Sequence, residues 1–208
     1  MDTDELKLFT SLKEIVEPGH TCLVVWDVQN ALVNSIFNRD QFLTSLKTLL
    51  EAARKKGVLV AYTRITPLPQ SVESPWRIYM QMKRFGVGDP KKLRQWMVPG
   101  SPEAEIPEEV KPADGDLVLN KHTASVFIGT HFEYFMINRN IKTILFTGIA
   151  TEIGIASSAR DASNRGFYTV VLSDCVSSAD KEMHDSALKL LQRVCLVVPS
   201  TEVAANWK

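Results

Sequence analysis

Thr147–Ala162, TGIATEIGIASSARDA, is the stretch on which the fold turns. It closes the apolar run Thr143–Thr147, and from Glu152 onward it carries small and apolar residues at helical spacing. A buried strand that passes into a helix across so short a turn is the join of an open α/β sheet. Such a join aims backbone N–H groups at whatever lies above it.

The same alternation extends in both directions. Candidate strands are Cys22–Trp26, Val58–Thr63, Asp116–Leu119, Thr143–Thr147, Tyr168–Leu172 and Val194–Val198. All but the third are continuous apolar runs, as expected of strands covered on both faces. Helical spacing marks Asp40–Lys56, Thr130–Asn138, Glu152–Asn164 and Lys181–Arg193, and Gly57 and Gly166 stand where left-handed caps are wanted. Strand–helix–strand repetition predicts a three-layer α/β/α architecture around a mostly parallel, six-stranded, Rossmann-like sheet, spanning 1–208 as a single domain. The stretch Arg64 to Gly115 is long and proline-rich, so short helices are expected near Pro75–Lys83 and Pro90–Trp96, forming a pocket wall or a subunit contact.

Composition narrows the function. Hydrophobic residues make up 45% and charged residues 23%, the profile of a globular chain. The 24 basic and 24 acidic residues cancel, and no basic stripe is interleaved with aromatics, so neither nucleic acid nor a membrane surface is the expected partner. The acidic start, MDTDELKLFTSLKEI, does not read as a signal peptide, and Cys22, Cys175 and Cys195 form no CxxC pair. A cytoplasmic protein with reduced cysteines, acting on a small molecule, is the expectation.

Three features carry chemistry. Asp27 directly follows Leu23-Val24-Val25-Trp26, and a carboxylate at the end of a buried strand is placed for proton transfer, although strand-end aspartates also serve as caps. Lys121 follows the third strand, where an ammonium near Asp27 would hold its charge or stabilise one on a substrate. The third is the turn Gly148-Ile149-Ala150-Thr151-Glu152-Ile153-Gly154. Glycine in a helix's first turn leaves room above the N–H groups for a ligand atom.

These segments resemble the isochorismatase-like, or cysteine hydrolase, superfamily. The likeness rests on Asp27, on Lys121 with Ser125-Val126-Phe127-Ile128-Gly129-Thr130, on the turn, on Ala159–Ala162 (ARDA), Gly166 and Ser173-Asp174, and runs from Thr21 to about Pro199. It implies a catalytic set of Asp27, Lys121 and the residue at 154. It also implies a cis peptide between Ala150 and Thr151, and an oxyanion site at Ala150, Thr151 and Ile153. The family's nucleophilic cysteine is here Gly154, so no covalent step is available at that position. Isochorismatases proper also lack the cysteine and use the aspartate as a general acid on a vinyl ether, but the flanks of Gly154 follow the amidohydrolase wording. A hydrolase of a small polar metabolite, cleaving a vinyl ether or a C–N bond without a thiol, is therefore expected. The alternative is a carbamoylsarcosine- or ureide-type amidohydrolase whose cysteine was lost or engineered to glycine, leaving an inactive or ligand-binding protein. Gln29, Arg64, Trp76 and Arg77 are candidate substrate contacts by position. No D-x-H-x-x-H spacing surrounds the four histidines and no nucleotide-binding glycine loop is complete at Phe85–Gly88, so no metal or cofactor is expected. A homo-oligomer, dimer or tetramer, is the expected assembly.

Overall fold

The computed structural model describes residues 8–207. α1 (Leu12–Ile15) leads into β1 (Thr21–Trp26), then α2 (Asn30–Val33), α3 (Arg39–Lys55), β2 (Leu59–Ile65), α4 (Pro75–Phe85) and β3 (Leu117–Lys121). The second half runs α5 (Phe132–Asn138), β4 (Thr143–Ile149), α6 (Ala156–Asn164), β5 (Tyr168–Ser177), α7 (Lys181–Leu191), β6 (Leu196–Val198) and α8 (Ser200–Asn206). The strands form one parallel sheet in the order β3-β2-β1-β4-β5-β6. Strand order reverses between β1 and β4, and the carboxyl ends of those two strands open the crevice where sheets of this kind bind ligands.

Each face of the sheet carries its own core. Alternation along β1 sends Leu23 and Val25 to one side and Cys22, Val24 and Trp26 to the other. The first core takes Phe42, Leu43, Leu46, Leu49, Leu50 and Ala53 from α3, a stripe at the helical period, together with Val203 and Trp207 at the chain's end. The Trp207 indole N–H donates to the carbonyl of Val16 at 2.6 Å, which pins that end. The second core packs Phe132 and Met136 of α5, Ala159 and Ala162 of α6 and Leu191 of α7. Gly57 and Gly166 take φ of 72° and 83°, the left-handed geometry expected of them past α3 and α6.

Several boundaries differ from the sequence reading. β3 extends two residues past Leu119 and ends on Lys121, paired to Ile65. β5 continues to Ser177, so Asp174 and Cys175 lie inside the strand rather than beyond it. The helix expected from Glu152 opens as a five-residue π turn, Thr151–Ile155, before α6 begins at Ala156. Over Pro90–Trp96 only one 3-10 turn forms, Pro90–Lys92, because the backbone becomes extended at Leu93.

Candidate active site

Asp27 caps no helix; it leaves the end of β1 at a φ of 49° and turns its carboxylate back under the sheet's edge. Its Oδ1 accepts from the Thr63 hydroxyl at 2.6 Å, and its backbone N–H donates to the Thr63 carbonyl at 3.2 Å. Its Oδ2 accepts from Lys121 Nζ, also at 2.6 Å. Lys121 reaches it because the register places β3 beside β2 and β2 beside β1. The ammonium also donates to the Thr123 carbonyl at 3.0 Å. Both members are closed off from solvent, with residue exposures of 1% for Asp27 and 0% for Lys121.

Burial drives Asp27 above the usual carboxylate range, against the pull of Lys121 and Thr63. It drives Lys121 below the usual amine range, against Asp27, and the positive charge of Arg77 pushes the same way. Each shift favours the neutral form of its own group. The pair therefore shares one proton across 2.6 Å, and Asp27 is its donor end.

Position 154 is occupied from the other side. A Cβ built on Gly154 would meet the Trp26 indole at 1.9 Å from Cη2 and 2.2 Å from Cζ2 and Cζ3. The even-numbered alternation of β1 points Trp26 at the layer holding α6, and the indole lies where a side chain at 154 would project. The room anticipated above Gly154 is therefore filled by Trp26. The indole does a second job: Lys121 Nζ sits 3.5 Å from its ring centroid, a contact that desolvation strengthens to about 2 kcal/mol. Trp26, Gly154, Lys121 and Asp27 thus form one buried unit. Trp26 carries no motif and reads in sequence as the last apolar residue of a strand. Thr63 was likewise hidden in an apolar run.

The turn is wound tightly. The N–H groups of Ile153, Gly154 and Ile155 all donate to the Ala150 carbonyl, at 3.2, 3.0 and 3.2 Å. Ile153 thereby spends its N–H inside the turn, while those of Ala150 and Thr151 lie outside that ring of bonds. The Thr151 hydroxyl donates to the Ser177 carbonyl at 3.1 Å and lies 2.8 Å from His184 Nδ1. The cis peptide is Ile149–Ala150, one residue earlier than the resemblance implied. Gly148 takes φ 123° beside β1, where a Cβ would fall 2.0 Å from the Trp26 carbonyl oxygen. Only glycine lets the two strands meet here.

The other motif fragments brace this centre. The Ser125 hydroxyl donates to Asp161 of α6, and the Val126 N–H donates to Ser158 Oγ at 3.1 Å, locking the segment after Lys121 onto α6. Asp174 accepts from the N–H and hydroxyl of Ser200, both at 2.7 Å, and starts α8. Gln29 is buried and structural in its contacts: Oε1 accepts from the Ile65 N–H at 2.8 Å and Nε2 donates to the Ala104 carbonyl at 2.8 Å. Arg64 bonds Asn120 on the neighbouring strand at 3.1 Å. Trp76 faces outward at 68% exposure, stacked on Tyr79, whereas Arg77 turns inward and donates to the carbonyl of His122. Burial raises the thiols of Cys22 and Cys175 and lifts that of Cys195 to about 11, so none is a ready thiolate.

A doubly wound sheet with a buried acid–base pair at its switch point, beside a strand–turn–helix join, defines a small-molecule enzyme of the α/β hydrolytic type. The isochorismatase domain matches residues 21–203, and the chain belongs to the isochorismatase family. It is 28% identical to the ureidoacrylate amidohydrolase RutB of Pseudomonas savastanoi pv. phaseolicola, over 83% of this chain and 76% of that one. Among solved structures, a cysteine hydrolase from Pseudomonas syringae pv. phaseolicola superposes with a TM-score of 0.79 at 20% identity, covering 91% and 93% of the two chains. The N-carbamoylsarcosine amidase of Thermoplasma acidophilum does so with a TM-score of 0.67 at 22% identity, covering 86% and 96%.

Proposed function

We propose that this chain is a hydrolase of small polar metabolites that works without a covalent intermediate, with Asp27 as general acid and Lys121 as its proton-balancing partner. The observation that carries this reading is the indole of Trp26 lying in the space of the family nucleophile, beside an Asp27–Lys121 pair that is fully formed.

The chemistry follows from that arrangement. Asp27 delivers its proton to the leaving atom as the scissile bond breaks, and water supplies the hydroxyl to the electrophilic carbon. The proton lost by that water returns to the Asp27–Lys121 pair, which ends the cycle as it began. N–H groups of Ala150 and Thr151 are the donors that face developing negative charge. Because burial raises Asp27, it keeps its proton to higher pH than an ordinary carboxyl. Turnover is expected to fall as pH climbs through that raised value rather than near the ordinary value of about 4.

The likeness to an amidohydrolase supports a C–N bond in an amide or ureide, and the missing thiol supports a vinyl ether cleaved by acid. Pyruvate release from isochorismate and ammonia release from a panel of amides and ureides separate the two. A second reading, a metabolite-binding protein without turnover, is favoured by the complete burial of Asp27 and Lys121 beneath Trp26. Turnover by the wild-type chain that disappears in Asp27→Asn supports the hydrolase. Absence of turnover on every substrate, with ligand binding intact, supports the second reading.

The proposed assembly is a homo-oligomer. Trp76, Tyr79 and Met80 form an exposed apolar face on α4, a kind of surface that monomers rarely leave open. Light scattering on the eluted protein reads it directly: a monomeric mass removes this part of the proposal.

A further inference from the structure

A cleft of about 300 Å³ opens beside the buried pair, between the end of β2, α4 and the segment that follows it. Its helical wall is set by periodicity: Arg77, Ile78, Gln81 and Phe85 face the cleft, while Trp76, Tyr79 and Met80 look away. Leu93 and Trp96 close the opposite side. The volume is at the lower end of small-molecule sites, which start at roughly 300 Å³.

The charges in this wall are unbalanced. Arg77, Lys91 and Arg94 line it against a single carboxylate, Glu73. Glu73 lies 3.7 Å from Arg77, and Arg94 is held by Glu103 at 2.5 Å. Lys91 has no acidic partner within 4.0 Å among the described residues. Arg77 donates to the His122 carbonyl through one terminal nitrogen, and its planar fork carries further donors. Ile65, at the cleft's floor, is paired in register with Lys121 and clamped through its backbone by Gln29, two residues past Asp27. The floor and the catalytic pair are thus parts of the same strand ends.

We infer that this cleft binds the carboxylate of a small organic anion with a compact apolar body, with Arg77 and Lys91 as its charge partners and Ile78, Leu93 and Trp96 as its apolar wall. The inference deepens the proposed function by naming a carboxylate-bearing substrate class, and it rests on that reading only in assigning the bound anion to the reaction at Asp27. A guanidinium with spare donors recognises a carboxylate in bidentate fashion, whereas an uncharged amide of the same shape gains no such contact.

The test is binding, read without turnover. Benzoate and its neutral isostere benzamide are titrated by calorimetry into the full chain, into Lys91→Gln, into Arg77→Gln and into Asp27→Asn. Benzoate is expected to bind at least about tenfold more tightly than benzamide, and to lose about tenfold in each of Lys91→Gln and Arg77→Gln, the loss for one charge-assisted contact. Lys91 makes no side-chain bond among the described residues, so Lys91→Gln keeps the test open if Arg77→Gln disturbs the fold. Equal binding of benzoate and benzamide, no benzoate binding, or undiminished benzoate binding in Lys91→Gln would overturn the site. Benzoate binding that survives in Asp27→Asn while no hydrolysis is found separates failure of the catalytic reading from failure of this one.

Discussion

Trp26 and Gly154 stand in a relation that neither residue discloses alone. A side chain at 154 would overlap the indole at 1.9 Å, so Gly154→Cys does not simply return a nucleophile to a waiting slot. It is expected to lower stability by roughly 1–3 kcal/mol through overpacking, read as a shift of the urea midpoint at constant slope. Trp26→Val in the same chain should recover most of that loss, giving a coupling of about 0.5–3 kcal/mol between the two positions. Strict additivity of the two substitutions would contradict the contact. Asp27 was legible because a carboxylate ending an apolar run is conspicuous, and Lys121 because of the segment that follows it. Trp26 was not, because its partner is brought to it only by the pairing of β1 with β4.

Among the elements, the turn before α6 concentrates what local sequence does not express. Helical spacing from Glu152 was read correctly as a helix, but the winding of three N–H groups onto the Ala150 carbonyl depends on what lies above and behind the turn. Behind it is His184 of α7, buried against Thr151, with Phe37 edge-on to its ring at 5.2 Å. Burial lowers its pKa from 6.5, against the pull of Asp185 and Glu152 and with the push of Lys181. The unfolded chain then takes up a proton at higher pH than the folded one. Stability contributed by neutral His184 is fully present above about 6.5 and is lost progressively as pH falls below that value. His184→Gln should flatten the fall in thermal midpoint below pH 6.5; an unchanged slope would show that another group carries it. The brace from Ser125 to Asp161 belongs to the same scale. Asp161→Ala strands a partly buried hydroxyl and frees the segment after Lys121, an expected loss of about 1–3 kcal/mol in a denaturant melt, together with reduced ligand affinity.

At the level of the whole molecule, periodicity and order carried the fold. Apolar runs alternating with helical spacing gave the six strands and their parallel sense, because a chain with short joins has few ways to cover both faces of a sheet. The long connection between β2 and β3 escaped that logic. Prolines punctuate it without fixing its path, and the cleft it forms against α4 exists only once Arg77 has turned inward. The scaffold thus retains a buried acid–base pair at its switch point and closes the covalent slot with an indole. Hydrolysis measured after alkylation with iodoacetamide tests that claim most directly, comparing wild type with Asp27→Asn on whichever amide, ureide or vinyl ether is turned over. The account predicts that alkylated wild type keeps its rate and that Asp27→Asn falls by about 100-fold or more, the ordinary worth of a positioned acid. Loss of wild-type activity on alkylation, or an undiminished rate in Asp27→Asn, would contradict it.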